Sequence, residues 1–357
     1  MAVKKKPAKA SAPRVFAALS ERALTDMRSA KKELAEKLLV HAPKRIQGFR
    51  ALTAAVNPAP EYNVVGVGIG EELADGRATG IRALKVFVRT KYPKDQLTRQ
   101  NLLPEKHAGY EIDVEETGLF RCLLRPRPAL PASGQMPDPR VKIRPAQPGC
   151  SIGFRDPAGQ FTMAGTFGAL VKDAGALCIL SNNHVLADEN QLPLGSPIYQ
   201  PGLLDDPHGG QIAELTRFVR LQPGTPNKVD CAIAKALKPA LVSRDILYIG
   251  PPQGTAPAAL DMLVHKFGRT TAYTAGRITS IDTDVSVNYE TGTYTFEGQI
   301  IIVGLDGQPF SAAGDSGSAI LERQSQKVVG LLFAGSNTHT IANHISDVLP
   351  ALNVTLA

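Results

Sequence analysis

The sequence predicts an all-β unit over residues 149–357, built as a sandwich or a pair of barrels and preceded by a helical segment and a small α/β region. Three observations predict it. After Cys150 the chain is a succession of short strand-like runs, at 166–172, 176–180, 211–219, 229–235, 277–281, 294–303 and 327–333, separated by clusters of Gly, Pro, Asn and Asp. No long helical pattern intervenes, and only Ile345–Leu352 reads as a helix at the end. Glycine (32) and proline (27) are plentiful, as a turn-rich β architecture requires.

The other elements follow in chain order. Residues 1–14 form a basic tail with Lys4, Lys5, Lys6 and Lys9, expected to be solvated and disordered. Over 15–57 the apolar positions Phe16, Leu19, Leu24, Met27, Leu34, Leu38 and Leu39 recur every three to five residues, an amphipathic helix pattern open to one break. Residues 58–120 change character. Strands are expected at 63–70, 83–89 and 110–114, with a turn at Ala74-Asp75-Gly76 and a short helix over 94–103. The proline-rich stretch within 121–148 reads as a linker or a surface strap. Gly66-Val67-Gly68-Ile69-Gly70 lacks the Gly-x-Gly-x-x-Gly spacing and following helix of a dinucleotide loop, so it is expected to be a glycine-rich strand.

Charge narrows the class of partner. Residues 1–50 carry 13 Lys/Arg against 4 Asp/Glu, leaving 27 basic against 29 acidic residues for the rest of a chain whose net charge is +7. The basic character therefore belongs to the N-terminal segment, and nucleic acid is not the expected partner of the folded part. No apolar run is long enough to span a membrane, and the basic start lacks the apolar stretch of a secretory signal, so a cytoplasmic location is expected. Cys122, Cys150, Cys178 and Cys231 show no metal-type spacing and are expected to be free, mostly buried thiols. Neither a metal nor an organic cofactor is expected. His339 and His344 have no metal-ligand company and are expected to be structural or solvated.

Two polar segments stand out in the β region. Gly314-Asp315-Ser316-Gly317-Ser318 precedes the apolar run 319–321, and the strand at 176–180 runs into Ser181-Asn182-Asn183-His184-Val185. A serine hydroxyl is a weak nucleophile until a base takes its proton, and a tight Gly-x-Ser-Gly turn lets adjacent backbone N–H groups face one oxyanion. Between the two segments lies Val229-Asp230-Cys231-Ala232-Ile233, which places a carboxylate at the head of an apolar strand. A carboxylate there is suited to hold the second nitrogen of an imidazole, and Asp205 and Asp206 are competitors for that task.

The order His184, Asp230, Ser316, spaced 46 and 86 residues, resembles the chymotrypsin-fold serine peptidases. Gly-Asp-Ser-Gly and Asp-x-Ala-Ile match that family's motifs, and Asn-Asn-His-Val resembles its bacterial HtrA-like branch. The resemblance covers about 150–357. It implies two β-barrels, over about 150–245 and 255–350, and a serine endopeptidase acting on protein or peptide through a covalent acyl-enzyme. In that reading Ser316 attacks, His184 shuttles the proton, Asp230 orients His184, and the amides of Gly314 and Ser316 form the oxyanion hole. Gly268-Arg269-Thr270-Thr271 resembles a segment of secreted bacterial members in which an arginine partners the aspartate before the nucleophile. That implies an Arg269–Asp315 pair supporting the oxyanion loop.

The resemblance further implies a substrate pocket with Phe310 at its floor, six residues before Ser316, and Phe333-Ala334-Gly335 as the segment that pairs with substrate backbone. An apolar floor is expected to favour small to medium apolar side chains over Lys or Arg before the cut. There are departures: Gly-Asp-Ser-Gly is followed by Ser318, Val185 stands where a disulfide cysteine often follows the histidine, and residues 1–149 lie outside the resemblance. Oligomerisation through the N-terminal region is left open. The competing reading is a catalytically silent scaffold of the same fold that binds peptide or nucleic acid.

Overall fold

The computed structural model describes residues 21–39, 63–74, 77–99, 101–122, 136–156 and 163–357. The basic tail and residues 123–135 of the proline-rich stretch lie outside these residues. Helix α1 spans Glu21–Leu38, with Glu21 in its first turn and Lys37 in its last, each matched to the helix dipole. Its apolar stripe, Met27, Ala30, Leu34 and Ala35, is buried against Val67, Ile69, Leu84 and Val86. Strands β1 (Val64–Ala74), β2 (Arg77–Val88), β3 (Lys106–His107) and β4 (Tyr110–Glu116) form the N-terminal sheet, followed by the two-residue strand β5 (Arg121–Cys122). The helix expected over 94–103 is only a single 3-10 turn at Lys94–Gln96 with no buried residue. With Leu103 alone of this stretch packed against a core cluster, the segment between Pro93 and Pro104 buries too little apolar surface to stabilise a longer helix.

The next strands are β6 (Ser151–Phe154), β7 (Gly165–Thr166), β8 (Ala169–Asp173), β9 (Ala176–Ser181), β10 (Pro197–Gln200), β11 (Gly210–Phe218) and β12 (Ala232–Ala236), with a one-turn helix α2 (Asn183–Leu186) after β9. The run expected as one strand over 166–172 bends at Gly168, so that β7 pairs with β6 while β8 pairs with β9. Pairings β9–β12–β11–β10–β6 complete the ring, which closes as a barrel. Gly168 has no room for a side chain: a Cβ there would lie 2.1 Å from the carbonyl oxygen of Gly317.

The second barrel comprises β13 (Leu263–Gly268), β14 (Ala272–Asn288), β15 (Thr293–Gly304), β16 (Ala319–Glu322), β17 (Val328–Gly335) and β18 (His339–His344). Their order β13-β16-β17-β18-β15-β14 closes on itself through β13–β14 pairing from Leu263↔Arg277 to Gly268↔Ala272. Two closed barrels of this kind make the chymotrypsin-like double β-barrel fold. Helix α3 (Ile345–Leu352) then leads to β19 (Thr355–Leu356), which pairs with β8 and ties the C-terminal end to the first barrel. Among the described residues no helix is long and apolar enough to cross a membrane.

The 17-residue β14 outruns the barrel, and β1 pairs with its far half from Ser280 to Val285. The sheet thus continues from the second barrel through β14-β1-β2-β4-β3. The glycines of β1 make this approach possible: a Cβ on Gly68 would meet the Thr283 hydroxyl at 2.4 Å, and one on Gly70 the Thr279 carbonyl at 2.6 Å. The expected glycine-rich strand is what the chain forms here.

Candidate active site

His184 lies on α2, directly after β9, and Asp230 lies just before β12, the strand that pairs with β9. Sheet pairing therefore brings together two residues far apart in sequence. The Asp230 backbone is held from two sides: Asn182 Nδ2, beside His184, donates to its carbonyl at 2.7 Å, and its N–H donates to Oδ1 of Asn343 on β18 at 3.0 Å. His184 Nδ1 and Asp230 Oδ2 are 2.5 Å apart, and both side chains are fully buried. The carboxylate also accepts the Asn183 N–H at 2.7 Å and the Tyr289 hydroxyl at 2.7 Å. Burial and then the Asp230 charge push the Tyr289 phenol well above its ordinary range, so it stays a donor. With Nδ1–H committed to Asp230, Nε2 is the nitrogen left to accept a proton. It is buried and has no hydrogen-bond partner among the described residues.

Ser316 sits on a tight turn between β15 and β16 with Gly314 at φ +98° and Gly317 at φ +92°, values that exclude a side chain without strain. The Asp315 N–H donates to Ala312 O, the Gly317 N–H to Leu332 O and the Ser318 N–H to Asp315 O. The amides of Gly314 and Ser316 have no acceptor among the described residues. Thr166 N–H donates to the Ser316 carbonyl at 2.8 Å, and a Cβ built on Gly165 would sit between that carbonyl, at 3.2 Å, and Val185 Cγ1, at 2.7 Å. The Ser316 backbone thus lies across from the residue that follows His184. Ser316 Oγ itself points to the Phe333 carbonyl at 3.5 Å, the outer limit of a hydrogen bond, and makes none to His184.

The Arg269–Asp315 pair expected from the sequence is not formed. Arg269 turns its guanidinium to Asp205, with Nε 2.9 Å from Oδ2 and a second contact from Nη2 to Oδ1. Asp315 is already saturated by nearer donors: the N–H groups of Thr270 (2.8 Å), Thr271 (3.1 Å) and Ala312 (2.9 Å) and the Thr271 hydroxyl (2.7 Å). Its cation is Lys266, at 3.4 Å and fully buried, whose ammonium burial lowers and Asp315 partly restores. Arg269 still packs beneath the turn, where a Cβ on Gly314 would touch its Nη1 at 3.0 Å. Asp205, weighed as a rival to Asp230, is thus engaged by Arg269 and by Ser151 Oγ at 2.5 Å.

Phe310 does not form a pocket floor. It is 1% exposed and packs with Val264, Ile278, Ile300, Ile302 and Ile320 inside the second barrel. The count of six residues placed it in a pocket, but an apolar ring next to the barrel interior gains more from full burial. Phe310 therefore offers no apolar floor that would select a substrate side chain. Phe333 is buried with its ring centroid 4.7 Å from that of Phe296, and the edge at Ala334 and Gly335 is paired with β5. All four cysteines are unpaired and buried. His339 is structural, its Nε2 2.9 Å from Glu115 Oε1.

Sequence reasoning missed Tyr289, Asn343 and Lys266. Asn182 and Asn183 were visible as part of the histidine motif, but nothing local in Val287-Asn288-Tyr289 marks a hydroxyl that will reach Asp230.

No family model and no curated protein matches the chain. Among solved structures it is similar to Thermobifida fusca protease A, at 18% identity over 59% of this chain and 97% of the other, with a TM-score of 0.43. It is similar to a glutamic acid specific serine protease at 20% identity, over 59% and 100%, with a TM-score of 0.42. Nocardiopsis protease gives 16% identity, 59% and 99%, and 0.43. These neighbours are bacterial serine proteases with the chymotrypsin fold.

Proposed function

We propose that the chain is a serine endopeptidase in which Ser316 is the nucleophile, His184 the general base and acid, and Asp230 the group that orients His184. One observation supports this reading above all: among the described residues, Nε2 of the fully buried His184–Asp230 pair has no partner, and the Gly314 and Ser316 amides of the strained turn that carries Ser316 are also unclaimed. Unsatisfied buried polar groups are rare, and these three are the proton acceptor and the two oxyanion donors that a serine nucleophile at 316 needs.

In the reaction, rotation of Ser316 Oγ from the Phe333 carbonyl to His184 Nε2 precedes attack. The serine proton passes to Nε2 as the Oγ–carbon bond forms, and the oxyanion takes the two free amides. The imidazolium then protonates the leaving amine, and water repeats the sequence on the acyl-enzyme.

A fluorophosphonate probe tests the assignment. The wild-type chain is expected to be labelled at Ser316, and Ser316→Ala to lose labelling and peptide turnover by about 10⁴-fold or more with an unchanged circular dichroism spectrum. Turnover that survives Ser316→Ala overturns it. Peptide binding without labelling marks the scaffold reading instead.

A further inference from the structure

Strand β5 lies along the end of β17 that β16 does not reach, antiparallel to it, with Cys122 opposite Ala334 and Arg121 opposite Gly335. On its other side it runs parallel to the end of β14, and the Asn288 N–H donates to the Phe120 carbonyl at 3.1 Å. The segment is anchored by burial. Phe120 is 0% and Cys122 7% exposed, in one cluster with Tyr289, Phe296 and Phe333, and the Phe120 ring sits edge-on to Phe87 at 6.4 Å. Upstream, Thr117 N–H donates to Val88 O at 2.9 Å, and Glu115 holds His339 beyond the end of β17.

The position of this strand is what gives it meaning. One residue before Ala334 is Phe333, whose carbonyl is the acceptor of Ser316 Oγ. Any peptide laid on this edge in the register of β5 is directed, at its next residue, past Phe333 and toward Ser316. Cys122 Sγ stands 4.0 Å from Glu189 Oε1, on the loop that follows α2. His184, Asp230 and Ser316 have no solvent exposure.

We propose that β5 is an intramolecular pseudo-substrate: the chain holds its own residues 119–122 on the edge where the main chain of a peptide substrate would pair, so that most of the full-length protein is latent, and labels slowly, until β5 is displaced. This rests on the serine-peptidase reading. Main-chain pairing supplies the affinity and is indifferent to sequence, while Cys122 fills the side-chain site beside Glu189 and Tyr289. Because pairing is intramolecular, a substrate competes against a strand at high effective concentration.

The test compares fluorophosphonate labelling rates of the full-length wild type with two variants that weaken β5. Arg121→Pro removes an N–H from an exposed position of the strand, so its side chain takes no packing with it. Cys122→Asp sets a carboxylate against Glu189 and repels the strand without proline strain. Either variant, once shown by near-UV circular dichroism to keep its tertiary packing, is expected to label about tenfold faster or more, because the competent fraction rises. Equal labelling rates in wild type and both variants overturn the latency proposal and leave the peptidase intact. Absence of labelling in all three overturns the peptidase reading and this proposal with it.

Discussion

At the scale of single residues, the histidine side of the site is held by small polar groups in strained backbone. Asp188, Glu189 and Asn190 follow α2 with φ of +47°, +51° and +77°, a run of left-handed residues that non-glycine chains adopt only where local hydrogen bonds compensate. Asn190 and Asn183 exchange two bonds, from Asn183 Nδ2 at 2.8 Å and from the Asn190 N–H at 3.0 Å. Burial, and then the charges of Glu189 and Glu290, push the Asp188 carboxyl up to about 6. Its folded value lies above its unfolded one, so the native state holds the proton more tightly. The associated stability is present at pH 4 and is lost as pH rises through about 6. Asp188 is partly exposed, which reduces the effect to about 1 kcal/mol. Asp188→Asn, which tolerates the left-handed backbone, is therefore expected to leave the melting temperature unchanged near pH 4 and to raise it by about 2–4 °C at pH 7. A melting curve at each pH checks this, and equal gains at both pH values would contradict the titration argument.

At the scale of elements, what could be read from sequence depended on whether a strand alternates apolar and polar residues. The runs at 294–303 and 327–333 do carry apolar faces and correspond to β15 and β17. Only 277–281 of β14 was legible, because beyond it Asp282, Thr283, Asp284 and Ser286 break the apolar pattern. The polar residues of this half meet β1 and α1: Ser280 Oγ donates to Ile69 O at 2.8 Å, and Asp284 pairs with Lys31 of α1 at 2.7 Å. The junction has no spare space at Gly68. Gly68→Val would force side-chain and backbone shifts between β1 and β14 and is expected to cost about 1–3 kcal/mol or more. Urea unfolding measures it, and a midpoint equal to that of the wild type would show that the junction can relax.

At the scale of the whole molecule, the candidate site lies at the seam of two barrels, with His184 and Asp230 on the first and Ser316 on the second. Arg269, after β13, reaches Asp205, after β10, and so fastens one barrel to the other with both side chains under 10% exposed. Asp205→Ala strands a buried guanidinium and is expected to cost about 3–5 kcal/mol in unfolding free energy, whereas Asp205→Leu with Arg269→Met is expected to recover most of it. A pair of variants that are equally unstable would count against an ionic clasp. The sequence by itself determined the succession of β-strands, the glycine-rich strand and the order of the His184, Asp230 and Ser316 motifs. Each of these depends on residue type within a short window, where periodicity, turn residues and hydrogen-bonding chemistry act locally. Only the tertiary structure decided that Lys266 rather than Arg269 partners Asp315, that Phe310 belongs to a barrel interior, that Tyr289 reaches Asp230 and that β5 lies along β17. Those outcomes are competitions between groups tens to hundreds of residues apart, settled by burial and by which donor arrives nearest, and no local pattern encodes the winner.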